Sequence, residues 1–534
     1  MSTREGEAGP VRASWTVGLW TAVSRLVGLT RVLIFGAVLG PTFFANIFQA
    51  GYVLPNTVFT VMAGPVLEMV VIPTLVRAVA GGGTALGALV LGKIAGRLLG
   101  LAAACAGGLV LLSVPLAWLL VAAVPPAEQA RGALLGAILI AFVAPQVVLY
   151  AVVGLAVAAQ QSRGRFALAA ASPCVESLGT IATVLGAVAV FGPGPEIDHA
   201  PVAMVVLLGV GNTVSVLAHA GLQVFGAARV GLLTRPRPGW RADPDARDAL
   251  RRIVRSVPVA AGPAATGYGV TLLAATVPGG VMVVQLSYQV FYALSYVGAR
   301  AVSMTALPRL SRASAEGDRV LFAGAWRMGL FYAAIAALLP MCLLALLAAP
   351  TADLLANGEL RRAGLIAGLT ACLVVVAFAQ FLGGLHDYGR QALYSRLDDR
   401  GPRAASLLAA AMTALVAAST LLIPSAEQRP AGLVVALLVG ECVGAATVLS
   451  RVRSGIRPET MTDRRSVAIA AAAAGAALSV GAASRLAFDV VGLSRPAELA
   501  WLLGCGLVSA IAYAAVVLVL RRALRPSWST TGDS

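Results

Sequence analysis

Apolar runs of twenty or more residues recur from residue 14 to residue 522, separated by short polar stretches. A run of that length crosses a hydrocarbon core about 30 Å thick when it rises about 1.5 Å per residue as a helix. The runs fall at 14–38, 43–76, 88–123, 133–160, 166–191, 202–228, 254–276, 280–307, 322–349, 364–388, 404–424, 431–450, 466–487 and 498–520. The second run is longer than a bilayer requires, and Pro55 and Gly64-Pro65 predict kinks in it. The pattern therefore predicts an all-α polytopic membrane protein of about fourteen transmembrane helices. An even number of spans places both termini on one side.

Composition strengthens this reading. Of 534 residues 59% are hydrophobic and 12% charged, with a mean hydropathy of +0.86. A soluble domain carries roughly 25% charged residues, so this chain lacks the charge to solvate its apolar faces. The first twelve residues (MSTREGEAGPVR) are polar, and the apolar run after them is too long for a signal peptide, so cleavage is not expected. Cys105, Cys174, Cys342, Cys372, Cys442 and Cys505 all lie in apolar runs without CxxC spacing, which supports neither a disulfide frame nor a metal site. Arg greatly outnumbers the single Lys93 and Ala is abundant, as a GC-rich bacterial genome would produce.

Charge sets the orientation. With both termini inside, cationic residues favour the cytoplasmic segments by about five to one. Those segments include the loop Arg229–Arg255 and the runs Arg309–Arg327, Arg390–Arg403 and Arg451–Arg465. The external loops hold only Arg131, Arg361, Arg362, Arg429, Arg485 and Arg495. The formal net charge of +16 thus serves topology beside anionic headgroups. Charge dispersed over many loops is a poor nucleic-acid surface, and no nucleic-acid partner is expected. The expected location is the bacterial inner membrane, multi-pass, with both termini cytoplasmic.

An internal repeat organises the spans. Residues 71–78 read VIPTLVRA and residues 306–313 read ALPRLSRA, an offset of 235, and each closes a long span. Six spans separate the copies, so both have the same orientation, as in a parallel repeat of two six-helix lobes. The predicted order is a cytoplasmic tail (1–13), an N-lobe (14–230), a cytoplasmic inter-lobe loop (231–253) and a C-lobe (254–452). Two C-terminal helices (453–522) and a tail (523–534) follow. Two such lobes suit alternating access. No Walker A sequence occurs and no soluble stretch is long enough to hydrolyse nucleotide, so transport would draw on a gradient or the membrane potential. No Ser/His/Asp or Cys/His set is assembled from three scattered His, so no enzyme and no cofactor is expected.

Four motifs carry a family resemblance. Ser24-Arg25-Leu26-Val27-Gly28-Leu29-Thr30-Arg31 resembles the SRxxGxxR opening of the MurJ/MviN lipid II flippases. Leu54-Pro55-Asn56 is similar to their LPN, and Ile72-Pro73-Thr74-Leu75 to their VPxL. Leu307-Pro308-Arg309-Leu310-Ser311-Arg312, followed by Glu316-Gly317-Asp318, resembles their LPRLSR…EGD. The resemblance implies the multidrug/oligosaccharidyl-lipid/polysaccharide exporter superfamily. It also implies a V-shaped cavity that holds a lipid-linked pyrophosphate, with membrane lipids as the other partners. Five charges implied by the resemblance are missing, their positions taken by Val32, Asn46, Phe59, Gly64 and Gln289.

The intramembrane polar residues supply the candidate substrate contacts. Arg25 and Arg31 stand in the first span, where a central Arg costs about 2.5–3.5 kcal/mol on insertion scales. A guanidinium fork suits a pyrophosphate, and snorkelling to the headgroups is the structural alternative. Glu68 follows Gly64 by one helical turn, and Arg300 follows Gln289 on nearly the same face, so charge is redistributed toward the inner mouth. Asn46 and Gln289, with Gln49 and Gln285, add amides that either touch cargo or bond between helices. Glu176, His219 and Glu441 are proton-binding candidates or satisfied helix contacts, while His199 and His386 fall at span edges. The coupling ion and the oligomeric state stay open. Two other functions compete: an exporter of a drug, metabolite or other polysaccharide-lipid, and a non-transporting envelope scaffold. If the redistributed cations grip cargo, Arg31→Ala and Arg300→Ala will each slow transport in a reconstituted assay; wild-type rates for both would remove the cationic grip.

Overall fold

The computed structural model describes residues 8–362, 365–456, 461–487 and 494–524, and every regular element among them is helical. The first part comprises α1 (Ala8–Leu39), α2 (Phe43–Met62), α3 (Gly64–Leu111), α4 (Ser113–Leu120), α5 (Pro126–Val143), α6 (Gln146–Ser162), α7 (Ala167–Ala171), α8 (Pro173–Phe191), α9 (Val202–Arg229) and α10 (Pro244–Ala274). Then come α11 (Gly280–Val297), α12 (Ala299–Ala315), α13 (Arg319–Leu355), α14 (Glu359–Arg362), α15 (Ile366–Ser395), α16 (Arg400–Ser419), α17 (Arg429–Gly455), α18 (Arg464–Ala487) and α19 (Arg495–Leu524). Twelve helical runs are long and apolar enough to cross a bilayer, thirteen with the bent α10. One of these, Val70–Leu111, holds the end of the predicted second span and the start of the third, turned about Gly82 and Gly83. About fourteen crossings result.

The breaks follow from the sequence. Pro55 sits within α2 without ending it, whereas Ala63 (φ −145°, ψ −34°) and Gly64 (φ +25°) separate α2 from α3. Pro65 has no N–H to continue the ladder, so the helix restarts there with Pro in its first turn. A second break at Gly298 (φ −87°, ψ −114°) separates α11 from α12. It follows Ala63 by 235 residues, the offset at which VIPTLVRA and ALPRLSRA repeat. In each copy a helix that contains a Pro, Pro73 in α3 and Pro308 in α12, leaves the break.

The helices pack as two compact units, one ending at Met282 and the other starting at Val283. In the first, α3 packs on α6, α8 on α9 and α1 on α8. α10 belongs here too, against α2 and α3, and Asn46 is the reason. Its amide nitrogen donates to the carbonyls of Ala275 (3.3 Å) and Val277 (2.7 Å), and its oxygen accepts from the Val281 N–H (3.2 Å). One buried side chain thus satisfies three backbone groups at the turn that ends α10, where helix termini leave such groups unpaired. The stretch from Gly231 to Asp243 lies along α3, with the Arg237 N–H bonded to the Gly92 carbonyl (2.8 Å). Lys93 holds Asp243 at 2.8 Å, and Asp243 also caps α10 through the Ala246 N–H. Burial alone would raise the Asp243 carboxyl, but the hydrogen bonds from Lys93 and Ala246 bring it below the usual aspartate value.

In the second unit α15 is central, packed on α12, α13 and α17. Its Tyr388 stacks on Trp326 of α13 with ring centroids 4.9 Å apart and donates to the Trp326 carbonyl at 3.0 Å. α18 and α19 pair with each other and lean on α13 through Cys342, Ala473, Ala477 and Tyr513. The clearest steric condition is in the first unit. A Cβ at Gly96 would collide with the backbone of Arg237, and one at Gly92 would lie 2.9 Å from the Arg235 carbonyl oxygen. Gly96→Ala should therefore lift this strap off α3, read as faster proteolysis between residues 231 and 243 and a lower melting temperature in detergent.

Candidate functional site

An arginine inside a span must find partners or water, because its desolvated charge is otherwise prohibitive. Arg31 of α1 finds them on two other helices. One terminal nitrogen donates to the Tyr52 hydroxyl of α2 and reaches Ser177 Oγ of α8 at 3.4 Å. The guanidinium carbon lies 5.1 Å from the Tyr52 ring centroid, within cation–π range. Its Nε is buried without a protein acceptor. Arg31 is therefore anchored at one end and still holds an unspent donor.

The negative counterpart is Glu176, the residue before Ser177. Tyr150 of α6 donates to one carboxylate oxygen at 2.8 Å, and His219 Nδ1 of α9 meets the other at 2.8 Å. Since a carboxylate can only accept, Nδ1 carries the proton in this pair. His219 Nε2 is buried and unpartnered. On one side of this pair Thr180 donates to Asn212 at 2.9 Å, and on the other Gln160, Gln223 and Ser172 link α6, α9 and the start of α8. A polar seam runs through the first unit, and Arg31 is its cation. Phe59, standing where the resemblance implies an arginine, stacks on Tyr150 at 6.2 Å. An aromatic ring there packs on the tyrosine that supports Glu176.

The other sequence candidates are placed variously. Arg25 is exposed. Asn46 is buried and spends both ends of its amide on backbone. The side chain of Glu68 lies outside the described residues. Gln289 of α11 is half-buried and Arg300 of α12 is exposed. Gln49, by contrast, is fully buried on α2 with neither amide atom partnered, which leaves a donor and an acceptor unspent. Among the described residues no cluster of three His, Cys, Asp or Glu is placed to hold a metal ion.

The second unit carries a similar pair. His386 Nδ1 of α15 lies 2.9 Å from a Glu441 oxygen of α17. His386 is buried, not idle at a span edge, and its Nε2 also lacks a partner. The sequence signal for these pairs was the presence of ionisable residues in separate apolar spans; which would meet was decided by helix packing alone.

The model of a family described as the lipid II flippase MurJ matches residues 35–495. Among solved structures, a lipid II flippase MurJ in an inward closed conformation is similar with a TM-score of 0.74 and 13% identity, over 95% of this chain and 99% of that one. An inward-facing multidrug resistance MATE family transporter of the MOP superfamily is similar at 0.60 and 13%, over 81% and 98%. A Vibrio cholerae MATE transporter is similar at 0.53 and 14%, over 83% and 96%. The structural likenesses speak for the fold. The polar seam makes its own prediction: Glu176→Gln removes the acceptor that Tyr150 and His219 share and the negative charge that acts on Arg31 through space. The variant should melt lower in detergent, and Glu176→Gln with Arg31→Gln should recover part of that loss in a double-mutant cycle.

Proposed function

The chain belongs to the MurJ lipid II flippase family, and on that premise we propose that it flips lipid II, or a related undecaprenyl-pyrophosphate-linked precursor, from the inner to the outer leaflet. The cycle is alternating access in the bacterial inner membrane, with both termini cytoplasmic, and it serves peptidoglycan and cell-wall biogenesis. The protein forms and breaks no covalent bond in the cargo. Its task is to provide a path in which a pyrophosphate headgroup exchanges water for protein donors, since hydrocarbon offers none.

The observation that carries this reading is Arg31. It is an intramembrane guanidinium held in place by Tyr52 and Ser177, with its Nε unspent. A pyrophosphate oxygen is a strong acceptor for that donor, and a preorganised fork loses little freedom on binding it. The orphaned amide of Gln49 is a second donor on α2. Arg25, Glu68, Gln289 and Arg300 are further proposed cargo contacts. For Asn46 we propose packing in place of cargo contact, because the turn after α10 uses its whole amide.

One observation favours a second reading. Phe59 and Gln289 place an aromatic ring and a neutral amide where the resemblance implies cations, which suits a less anionic cargo such as an amphiphilic metabolite. Depletion and rescue separates the two. In cells depleted of their lipid II flippase, this chain should restore growth and shape, and Arg31→Ala should not, at equal membrane abundance. Failure of the wild-type chain to rescue, together with altered efflux of amphiphilic compounds, would establish the second reading instead.

A further inference from the structure

Two buried His–Glu pairs, one in each unit, differ in their electrostatic setting. In both, Nδ1 of the imidazole meets a carboxylate oxygen, at 2.8 Å for His219 and Glu176 and at 2.9 Å for His386 and Glu441. In both, Nε2 is buried without a partner. Its lone pair can accept a proton without breaking any protein hydrogen bond. A neutral imidazole with an ionised carboxylate carries one negative charge, and protonation of Nε2 makes the pair neutral overall.

The surroundings decide which pair gains from that proton. Around Glu176 the charge is already balanced. Arg31 bonds the adjacent Ser177, and Tyr150 and His219 occupy both carboxylate oxygens. A proton there would create a net positive charge in an apolar lobe. Around Glu441 no arginine among the described residues is placed as Arg31 is beside Glu176. Among the described residues His386 is the one cationic group within ion-pair distance of it. From α11 it faces Tyr288, itself beside Tyr292, both neutral phenols. On α15, Arg390 pairs with Asp387 at 2.6 Å, while Asp387 Oδ2 and Arg390 Nε stay buried without partners. α12 and α13 present Ala299 and Ala337 at Gly384, and α16 presents Thr413 at Gly440, where the pair's helices cross them. The Glu441 side chain is also the wetter of the two carboxylates, 21% exposed against 12% for Glu176.

We propose that the His386–Glu441 pair is a proton-binding site, and that the proton is the coupling ion of the transport cycle. The proton adds to His386 Nε2, the imidazolium and the Glu441 carboxylate form a neutral ion pair, and its release restores the neutral ring. The His219–Glu176 pair keeps a neutral imidazole and serves to hold Arg31. This role rests on the transporter reading above, but the proton site itself can be read without cargo.

The chain has three His, which makes the site directly observable. Full-length protein labelled with ¹⁵N-histidine in bilayers gives three imidazole signals by solid-state NMR, assigned with His199→Gln and His219→Gln. At about pH 7 the cationic fraction of His386 should exceed that of His219 at least about tenfold. Glu441→Gln should remove the excess. A His386 that stays neutral from about pH 6 to about pH 8 overturns the site. In proteoliposomes with the voltage clamped, flipping of fluorescent lipid II should respond to a pH gradient in the wild type and lose that response in Glu441→Gln and His386→Gln. A response that persists in both variants overturns the coupling. Absence of lipid II flipping with the NMR result intact would count against the cargo and leave the proton site standing.

Discussion

The desolvation of a single cation, Arg31, organises much of the first unit. Hydrocarbon cannot solvate a guanidinium, so the helices around α1 must supply what water would have. They do so from several directions. A hydroxyl and ring come from α2, a second hydroxyl and a carboxylate from α8, and the groups that hold the carboxylate come from α6 and α9. The α8–α9 and α6–α9 contacts thereby carry polar pairs along their length, Thr180 with Asn212 and Gln160 with Gln223. A conformation that separated these helices would unpair several groups at once. That coupling makes the unit a stiff body, which is the property a rocking-lobe transporter asks of its lobes.

Stiffness within helices is interrupted only where the chain has chemistry for it. Ala63-Gly64-Pro65 and Gly298 break two spans at the same place in the repeat. Gly82-Gly83 turns one run into two crossings. The unpaired backbone groups that breaks expose are not left to the lipid. Asn46 satisfies three of them at the turn after α10. Irregular backbone at membrane depth survives where protein covers it.

Fourteen spans, the repeat and the broken second span were legible because each depends on one residue property at a time: run length, local identity, Gly and Pro. Arg31 was legible for the same reason, since a charge in an apolar run stands out. The roles of Asn46 and His386 were not. Asn46 reads as one more amide in a span until the turn after α10 is seen against it, some 230 residues away. His386 lies near the end of its run, yet packing against Gly444 buries it and aims Nδ1 at Glu441. Partner choice across helices depends on rotation about each axis, which sequence spacing constrains weakly. The departures from the family pattern also gained meaning only in three dimensions. Phe59 is a lost charge in the sequence and a ring stacked on Tyr150, the donor to Glu176, in the fold.

These features bear jointly on how an anionic cargo would be handled. With the Glu176 carboxylate acting on Arg31 through space, the polar seam sets one anion against one cation, so a pyrophosphate there would be drawn by unspent donors more than by net charge. Grip by oriented donors is weaker at long range than grip by a field of cations, and easier to release. A chain that has given up most of its cavity charge therefore depends more on whatever alters Arg31's balance with Glu176 during the cycle. His219 is in direct contact with that carboxylate, and its neutral ring fixes the carboxylate in the seam that Arg31 shares.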